Sequence, residues 1–147
     1  MPLPTRPALA IVLAATACAS WRPREAPSPG AAAESAARVV QRQVDAYNAQ
    51  DLEAFVATYA DDVVITRGDA RETIVRGKDA LRDRYADIFR RFPLNQARIV
   101  ERRAGSDGVV LDHEIVTGRA PDKPDPWDVG WVRYEVEGGL IRRVHLP

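Results

Sequence analysis

The spacing of apolar positions changes along the chain, and the changes divide it. Ala8 to Ala17 (ALAIVLAATA) is apolar without interruption. After a polar, proline-containing stretch, apolar residues recur at intervals of three and four, the period of a helix lying on a core. Ser35 is placed to cap a first helix, with Ala36, Val39, Val40, Val44 and Tyr47 on its inner stripe. Asp51 caps a second, carrying Leu52, Phe55, Val56 and Tyr59. Asp61-Asp62 ends it, and Val63-Val64-Ile65-Thr66 reads as a strand whose partner across the Gly68-Asp69 turn is Glu72 to Val75. Gly77-Lys78-Asp79 opens a third helix with Leu81, Tyr85, Ile88, Phe89 and Phe92 on one face, stopped by Pro93.

Beyond Pro93 the period is that of strands. Gln96 to Arg103, Val109 to Thr117, Trp127 to Val136 and Leu140 to Leu146 are predicted strands. They are separated by the Gly105–Gly108 turn, a loop over Ala120 to Pro126 with three prolines, and the Glu137-Gly138-Gly139 turn. Helices first and an antiparallel meander after them make an α+β fold, with three N-terminal helices packed on a curved, mainly antiparallel sheet. Helices on one face of a curved sheet leave a cone with an open mouth, a natural ligand pocket.

The apolar run from Ala8 is too short to span a bilayer, which takes about 20 helical residues. With Arg6 before it and small residues after it, the run matches the apolar region of a signal peptide. Ala15-Thr16-Ala17 directly precedes Cys18. This stretch resembles a bacterial lipoprotein signal, which implies that Cys18 becomes the lipidated first residue. Ala15 stands where such signals usually carry Leu, and Ala15-Thr16-Ala17 also satisfies the Ala-x-Ala rule of simple secretion. The organisation expected is a signal peptide over 1–17, a Pro/Ala-rich linker over 18–34 and one folded domain over 35–147. Localisation is expected at the cell envelope, with membrane contact only through the lipid.

Acids and bases balance at 21 each, so no net field is available to hold nucleic acid. Cys18 is the only cysteine, which excludes a cysteine-based zinc site, and His113 and His145 are the only histidines, without a close-spaced ligand motif. Neither a metal nor another cofactor is expected.

Two segments carry a family resemblance: Tyr47-Asn48-Ala49-Gln50-Asp51-Leu52-Glu53-Ala54-Phe55, and Tyr59-Ala60-Asp61-Asp62-Val63. Gly77-Lys78-Asp79-Ala80-Leu81 and the closing hairpin Tyr134 to Val144 extend it. The chain resembles the nuclear transport factor 2-like superfamily, which includes ketosteroid isomerase, SnoaL-type polyketide cyclases and scytalone dehydratase. The resemblance covers nearly all of residues 35–147 and implies the cone fold. It does not carry over the isomerase's catalytic residues: its carboxylate base falls at Arg67, its oxyanion tyrosine at Gln43 and its second acid near Val132.

Alternation along the strand from Val109 places His113 with Val109, Leu111 and Ile115 on the helix-covered face, because the other parity would send Asp112 and Glu114 inward without matching cations. A covered His can serve as a general acid–base; as a core residue it would bond a backbone carbonyl or a tyrosine. Arg67 and Asp69 share a face of an extended chain and form a second candidate pair, with a solvent-exposed hairpin tip as the other reading. Limonene epoxide hydrolase, another relative, uses an Arg between two carboxylates. Tyr47, Tyr59 and Tyr85 lie on the inner stripes of the helices, either as core or with hydroxyls aimed into the pocket. Trp127, Val129 and Trp131 share a predicted strand face, suited to a pocket wall or, as the resemblance implies for sheet faces left uncovered, to a homodimer contact. His145 is expected at a rim or interface. Two functions are compatible with this pattern: cofactor-free proton transfer, isomerisation or dehydration on a small, largely apolar molecule, or a non-catalytic envelope module that binds a hydrophobic ligand or a partner protein.

Overall fold

The computed structural model describes residues 26–147; Cys18, the signal-like run and the first half of the expected linker, up to residue 25, lie outside them. Helix α1 runs from Pro29 to Asn48, starting seven residues earlier than a cap at Ser35 predicts. Ser28 is the actual cap, its Oγ accepting from the Ala31 backbone, and Pro29 at the first helical position has no N–H to leave unpaired. The linker's Ala-rich end is therefore helical, consistent with alanine's propensity. Gln50, at a φ of 56°, turns the chain into α2 (Leu52–Ala57), capped by Asp51 through the Ala54 N–H at 2.9 Å.

The chain continues through β1 (Tyr59–Arg67), β2 (Glu72–Arg76), α3 (Lys78–Arg91), β3 (Gln96–Ala104), β4 (Val109–Thr117), β5 (Trp127–Glu137) and β6 (Leu140–Leu146). Tyr59, on the helical stripe by spacing, is the first residue of β1. The six strands form one sheet in the order β2-β1-β6-β5-β4-β3, antiparallel throughout except that β1 and β6 run parallel. Helix α1 lies over β3 to β6 and α3 over β1 and β2, so the helices cover one face and the other stays open. Among the described residues no helix is long and apolar enough to cross a membrane.

The covered face holds the core. Val40, Phe55, Leu81, Val110, Val132 and Ile141 are fully buried. Phe55 packs on Tyr85 with ring centroids 4.3 Å apart and on Tyr59 at 5.1 Å, and Tyr47 meets Phe89 edge-on at 5.5 Å. Such tilted and edge contacts suit the charge distribution of aromatic rings. They join α1, α2, β1 and α3 at one end of the sheet.

Two sequence expectations fail, for related reasons. Along β4 the buried residues are Val110, Asp112, Glu114 and Val116, whereas Val109, Leu111, His113 and Ile115 lie half-buried on the open face. The predicted parity is inverted. The cation the prediction found missing is Arg102 on β3, directly opposite Asp112. Its Nε and Nη2 donate to the two Asp112 oxygens at 2.7 and 2.6 Å. Its Nη1 reaches Gln41 Oε1 at 2.9 Å and the Ala37 carbonyl at 3.3 Å, tying α1 to the sheet.

The second failure is in β5. The β4–β5 register shifts between Glu114 and Ile115, where Gly130 takes a φ of +86° and donates its N–H to Asp128 Oδ1. This bulge flips the parity of β5, as an extra residue must. Trp127 and Val129 lie inside with Val132 and Tyr134, and Trp131 does not share their face: it is on the open one, 36% exposed.

Asp112 is fully buried and Arg102 partly so, which makes it costly to leave the Asp112 carboxylate unpaired. Arg102→Ala should lower unfolding stability by about 3–5 kcal/mol. The double substitution Arg102→Met with Asp112→Leu should recover most of that loss. Chemical denaturation of the three proteins checks this; an Arg102→Ala midpoint equal to wild type would show that the pair does not hold α1 to the sheet.

Candidate functional site

Between the helices and the sheet lies a cavity of about 150 Å³ that opens to solvent. Its walls come from α1 (Gln43, Tyr47), β1 (Tyr59, Ile65, Arg67), α3 (Arg84, Tyr85), β4 (Glu114) and β5 (Trp127, Tyr134), with Arg119 and Lys123 from the β4–β5 loop. The volume is that of a site able to hold about one aromatic ring.

Four buried polar side chains form the floor: Glu114, Tyr59, Tyr134 and Gln43. Tyr134 Oη donates to Glu114 Oε1 at 2.6 Å. Glu114 Oε2 has no hydrogen-bond partner among the described residues, which leaves one carboxylate oxygen for whatever occupies the cavity. Burial, the largest cause, pushes the Glu114 carboxyl from 4.5 up to about 7; the Tyr134 hydrogen bond opposes it, Asp112 adds to it and Arg102 opposes it. Burial likewise raises the hydroxyls of Tyr47, Tyr59, Tyr85 and Tyr134, so all four stay protonated donors at neutral pH. Gln43 Oε1 is buried without a donor.

The sequence reading finds part of this lining. Arg67, Tyr47, Tyr59, Tyr85 and Trp127 all line the cavity. His113, Asp69 and Trp131 do not. His113 lies on the open face, its Nε2 2.9 Å from Asp128 Oδ1 and its ring stacked on Trp131 at 5.4 Å. Asp69 sits exposed in the β1–β2 turn, so it makes no pair with Arg67 over the cavity. His145 Nδ1 lies 2.9 Å from Thr66 Oγ1, away from the lining. Glu114, Tyr134 and Arg119 were missed. The usable signal for the first two was the pair of acids at Asp112 and Glu114, flanking His113, on a strand whose other residues are valine, leucine and isoleucine with a terminal threonine. Among the described residues no three His, Cys, Asp or Glu side chains gather so as to hold a metal ion.

The sequence matches the model of the SnoaL-like domain over residues 40–144. The chain belongs to the SnoaL-like domain family. Solved structures agree with the fold of this SnoaL-like domain. An uncharacterised cystatin-fold protein from Novosphingobium aromaticivorans superposes with a TM-score of 0.67 at 28% identity, over 76% of this chain and 97% of that one. A proposed polyketide cyclase from Sinorhizobium meliloti gives 0.62 at 23% identity, over 75% and 94%. A proposed ketosteroid isomerase from Kribbella flavida gives 0.60 at 19%, over 78% and 79%. No curated protein matches the sequence. At these identities the likeness to the cyclase and the isomerase is one of fold, and a fold of this kind hosts many chemistries.

Glu114 makes the SnoaL-like domain's stability depend on pH with a defined sign. Its folded pKa is raised, so the folded state holds a proton that the unfolded state has lost between about 4.5 and 7. Stability from this group is full below that window, falls across it as pH rises, and is flat above it. Glu114→Gln keeps an acceptor for Tyr134 and removes the titration. The variant should gain on wild type from pH 5 to pH 8 by up to roughly 3 kcal/mol. Urea unfolding of both proteins at the two pH values measures it, and a constant difference would show that Glu114 does not titrate in this range.

Proposed function

We propose that this SnoaL-like domain is an enzyme that moves a proton on a small, largely apolar carbonyl or hydroxyl compound, in the manner of an isomerase or dehydratase. The observation that carries this reading is Glu114: a carboxyl with a pKa near neutrality, bonded to Tyr134 on one oxygen and free on the other, at the floor of an aromatic cavity. A general base works best with a pKa near the operating pH, because it is then both available and able to give the proton back. In the step as proposed, the free oxygen of Glu114 takes a proton from the carbon beside a carbonyl. The C–H electron pair becomes the enolate double bond, and the carbonyl oxygen takes the charge. A tyrosine hydroxyl of the wall, or the Gln43 amide, donates to that oxygen. Where the substrate carries a β,γ double bond, return of the proton from Glu114 to the γ carbon moves the double bond and completes an isomerisation. Where it carries a β-hydroxyl, the enolate pair forms the α,β double bond as the C–O bond breaks, and the proton leaves with the hydroxide as water. Every group used belongs to this chain. The neighbours proposed as a polyketide cyclase and a ketosteroid isomerase share the fold, which makes it a known frame for such sites but does not identify the substrate.

The test needs no prior substrate. Small cyclic ketones incubated with the SnoaL-like domain in D2O should gain deuterium beside the carbonyl, followed by NMR. Glu114→Gln should reduce the rate at least 100-fold, in the range of lost general acid–base catalysis. Tyr134→Phe should shift the pH midpoint of the rate upward, because the hydrogen bond that lowers the Glu114 pKa is gone. Exchange that survives Glu114→Gln would remove Glu114 as the base, and exchange no faster than in buffer would leave the non-catalytic binding reading in its place.

We also propose that the domain is exported and tethered by lipid at Cys18, on the strength of the apolar run and the Ala15-Thr16-Ala17-Cys18 sequence. Cys18→Ala should move the protein from the membrane fraction to the soluble fraction of a bacterial expression host. Mass spectrometry showing an unmodified Cys18 on membrane-fraction protein would end this proposal.

A further inference from the structure

The mouth of the cavity has a charge that the proton-transfer reading does not use. Arg67, Arg84, Arg119 and Lys123 all line it, from β1, α3 and the β4–β5 loop, and each is partly buried. None of the four makes an ion pair among the described residues, and the side-chain partner of Arg119 is the neutral hydroxyl of Tyr47. The other arginines without an ion pair there, Arg42, Arg71, Arg76 and Arg98, are all exposed to solvent. Arg82, Arg91, Arg102, Arg103, Arg133 and Arg142 each hold a carboxylate. Arg119 also has its Nε buried with no acceptor, while its guanidinium lies over the Phe92 ring at 4.7 Å. Lys123 Nζ lies 4.6 Å from the Trp127 ring centre. The aromatic contacts hold both cations in place without neutralising them.

Four like charges around one concavity repel one another, and the fold supplies no counter-ion. Glu114 does not serve, because its charged neighbours are Asp112 and Arg102, and its own charge is suppressed by burial. The mouth cations act instead on the tyrosines above it: Arg119 on Tyr47 and Tyr85, Arg84 on Tyr85. The site therefore has two levels, an anion-seeking rim and a carboxyl floor, with room for about one ring between them. Guanidinium groups are the side chains best shaped to take a carboxylate or phosphate with two parallel hydrogen bonds.

We propose that the ligand of this cavity is a ring-sized organic acid, whose carboxylate or phosphate sits among Arg67, Arg84, Arg119 and Lys123 while its apolar body reaches toward Glu114. This rests on the reading that the cavity is a small-molecule site, and it names the chemical class that site takes.

The test is a pairwise comparison of charged and neutral probes by isothermal titration at low ionic strength. Benzoate is set against benzamide, and phenyl phosphate against benzyl alcohol. At least one anion should bind about tenfold or more tightly than its neutral counterpart. That preference should shrink in Arg84→Gln and in Arg119→Gln and persist in Arg76→Gln, an exposed arginine outside the lining, with circular dichroism confirming that each variant is folded. Equal binding of anion and neutral probe overturns the proposal and leaves the small-molecule site standing. So does an anion preference unchanged in both arginine variants. Binding of neither anion at millimolar concentration overturns it too. Anion preference without any deuterium exchange supports the proposal while removing the proton-transfer reading, so the two fail separately.

Discussion

The interior face of β4 carries acids at two successive inward positions, and a folded protein cannot leave two buried carboxylates to themselves. The structure treats them unequally. Asp112 receives Arg102 on both of its oxygens, and the same guanidinium spends its remaining donors on Gln41 and the Ala37 carbonyl of α1. One arginine thus compensates a buried charge, fixes the β3–β4 register and holds α1 over the sheet. Nothing comparable is left for Glu114. Its one protein partner is a neutral hydroxyl, so burial dominates and the group sits near its midpoint at neutral pH. The structural acid and the chemical acid are two residues apart on one strand, and what separates them is which one reaches a guanidinium.

The bulge at Gly130 does for β5 what Arg102 does for β4. Without a parity change, an inward Tyr134 would place Trp127 and Val129 outside. With it, the strand turns Tyr134 toward Glu114 in its second half and Trp127 and Val129 toward the cavity mouth in its first. The residue expelled by the change is Trp131, which stacks on His113 on the open face. The open face is therefore not a leftover. It takes the histidine for which the alternation pattern predicts an inner position, together with the tryptophan that stacks on it.

This explains why the elements were legible in the sequence and their faces were not. Element bounds follow from local signals: the Asp51 cap, the left-handed Gly77, the Gly105–Gly108 and Gly138-Gly139 turns, and Pro93. The predicted β4 and β6 bounds coincide with those observed. The face of β4 is a non-local matter. Its outer set, Val109, Leu111, His113 and Ile115, is more apolar than its inner set, so burial by composition favours the wrong parity. The deciding partner lies ten residues away on β3. A bulge leaves even less trace, since Gly130 alone does not announce one. The tyrosines and Arg67 were found because they sit on helical stripes or in β1, where local period and true face agree.

The two levels of the cavity constrain each other through Glu114. A ligand that fills the ring-sized space expels water, and loss of water raises a carboxyl pKa further. An anionic head group would push the same way. Alone, these effects would lock Glu114 in its protonated form and leave it able to give a proton but not to take one. The charged neighbours of Glu114 itself are Asp112 and Arg102, so the cations at the mouth act on the head group rather than on the carboxyl. Bound together, head group and cations offset one another, and the head group then adds little to the rise that desolvation causes. On this argument the cations matter to the chemistry as well as to binding, and they do so from a distance, without touching the reacting atoms.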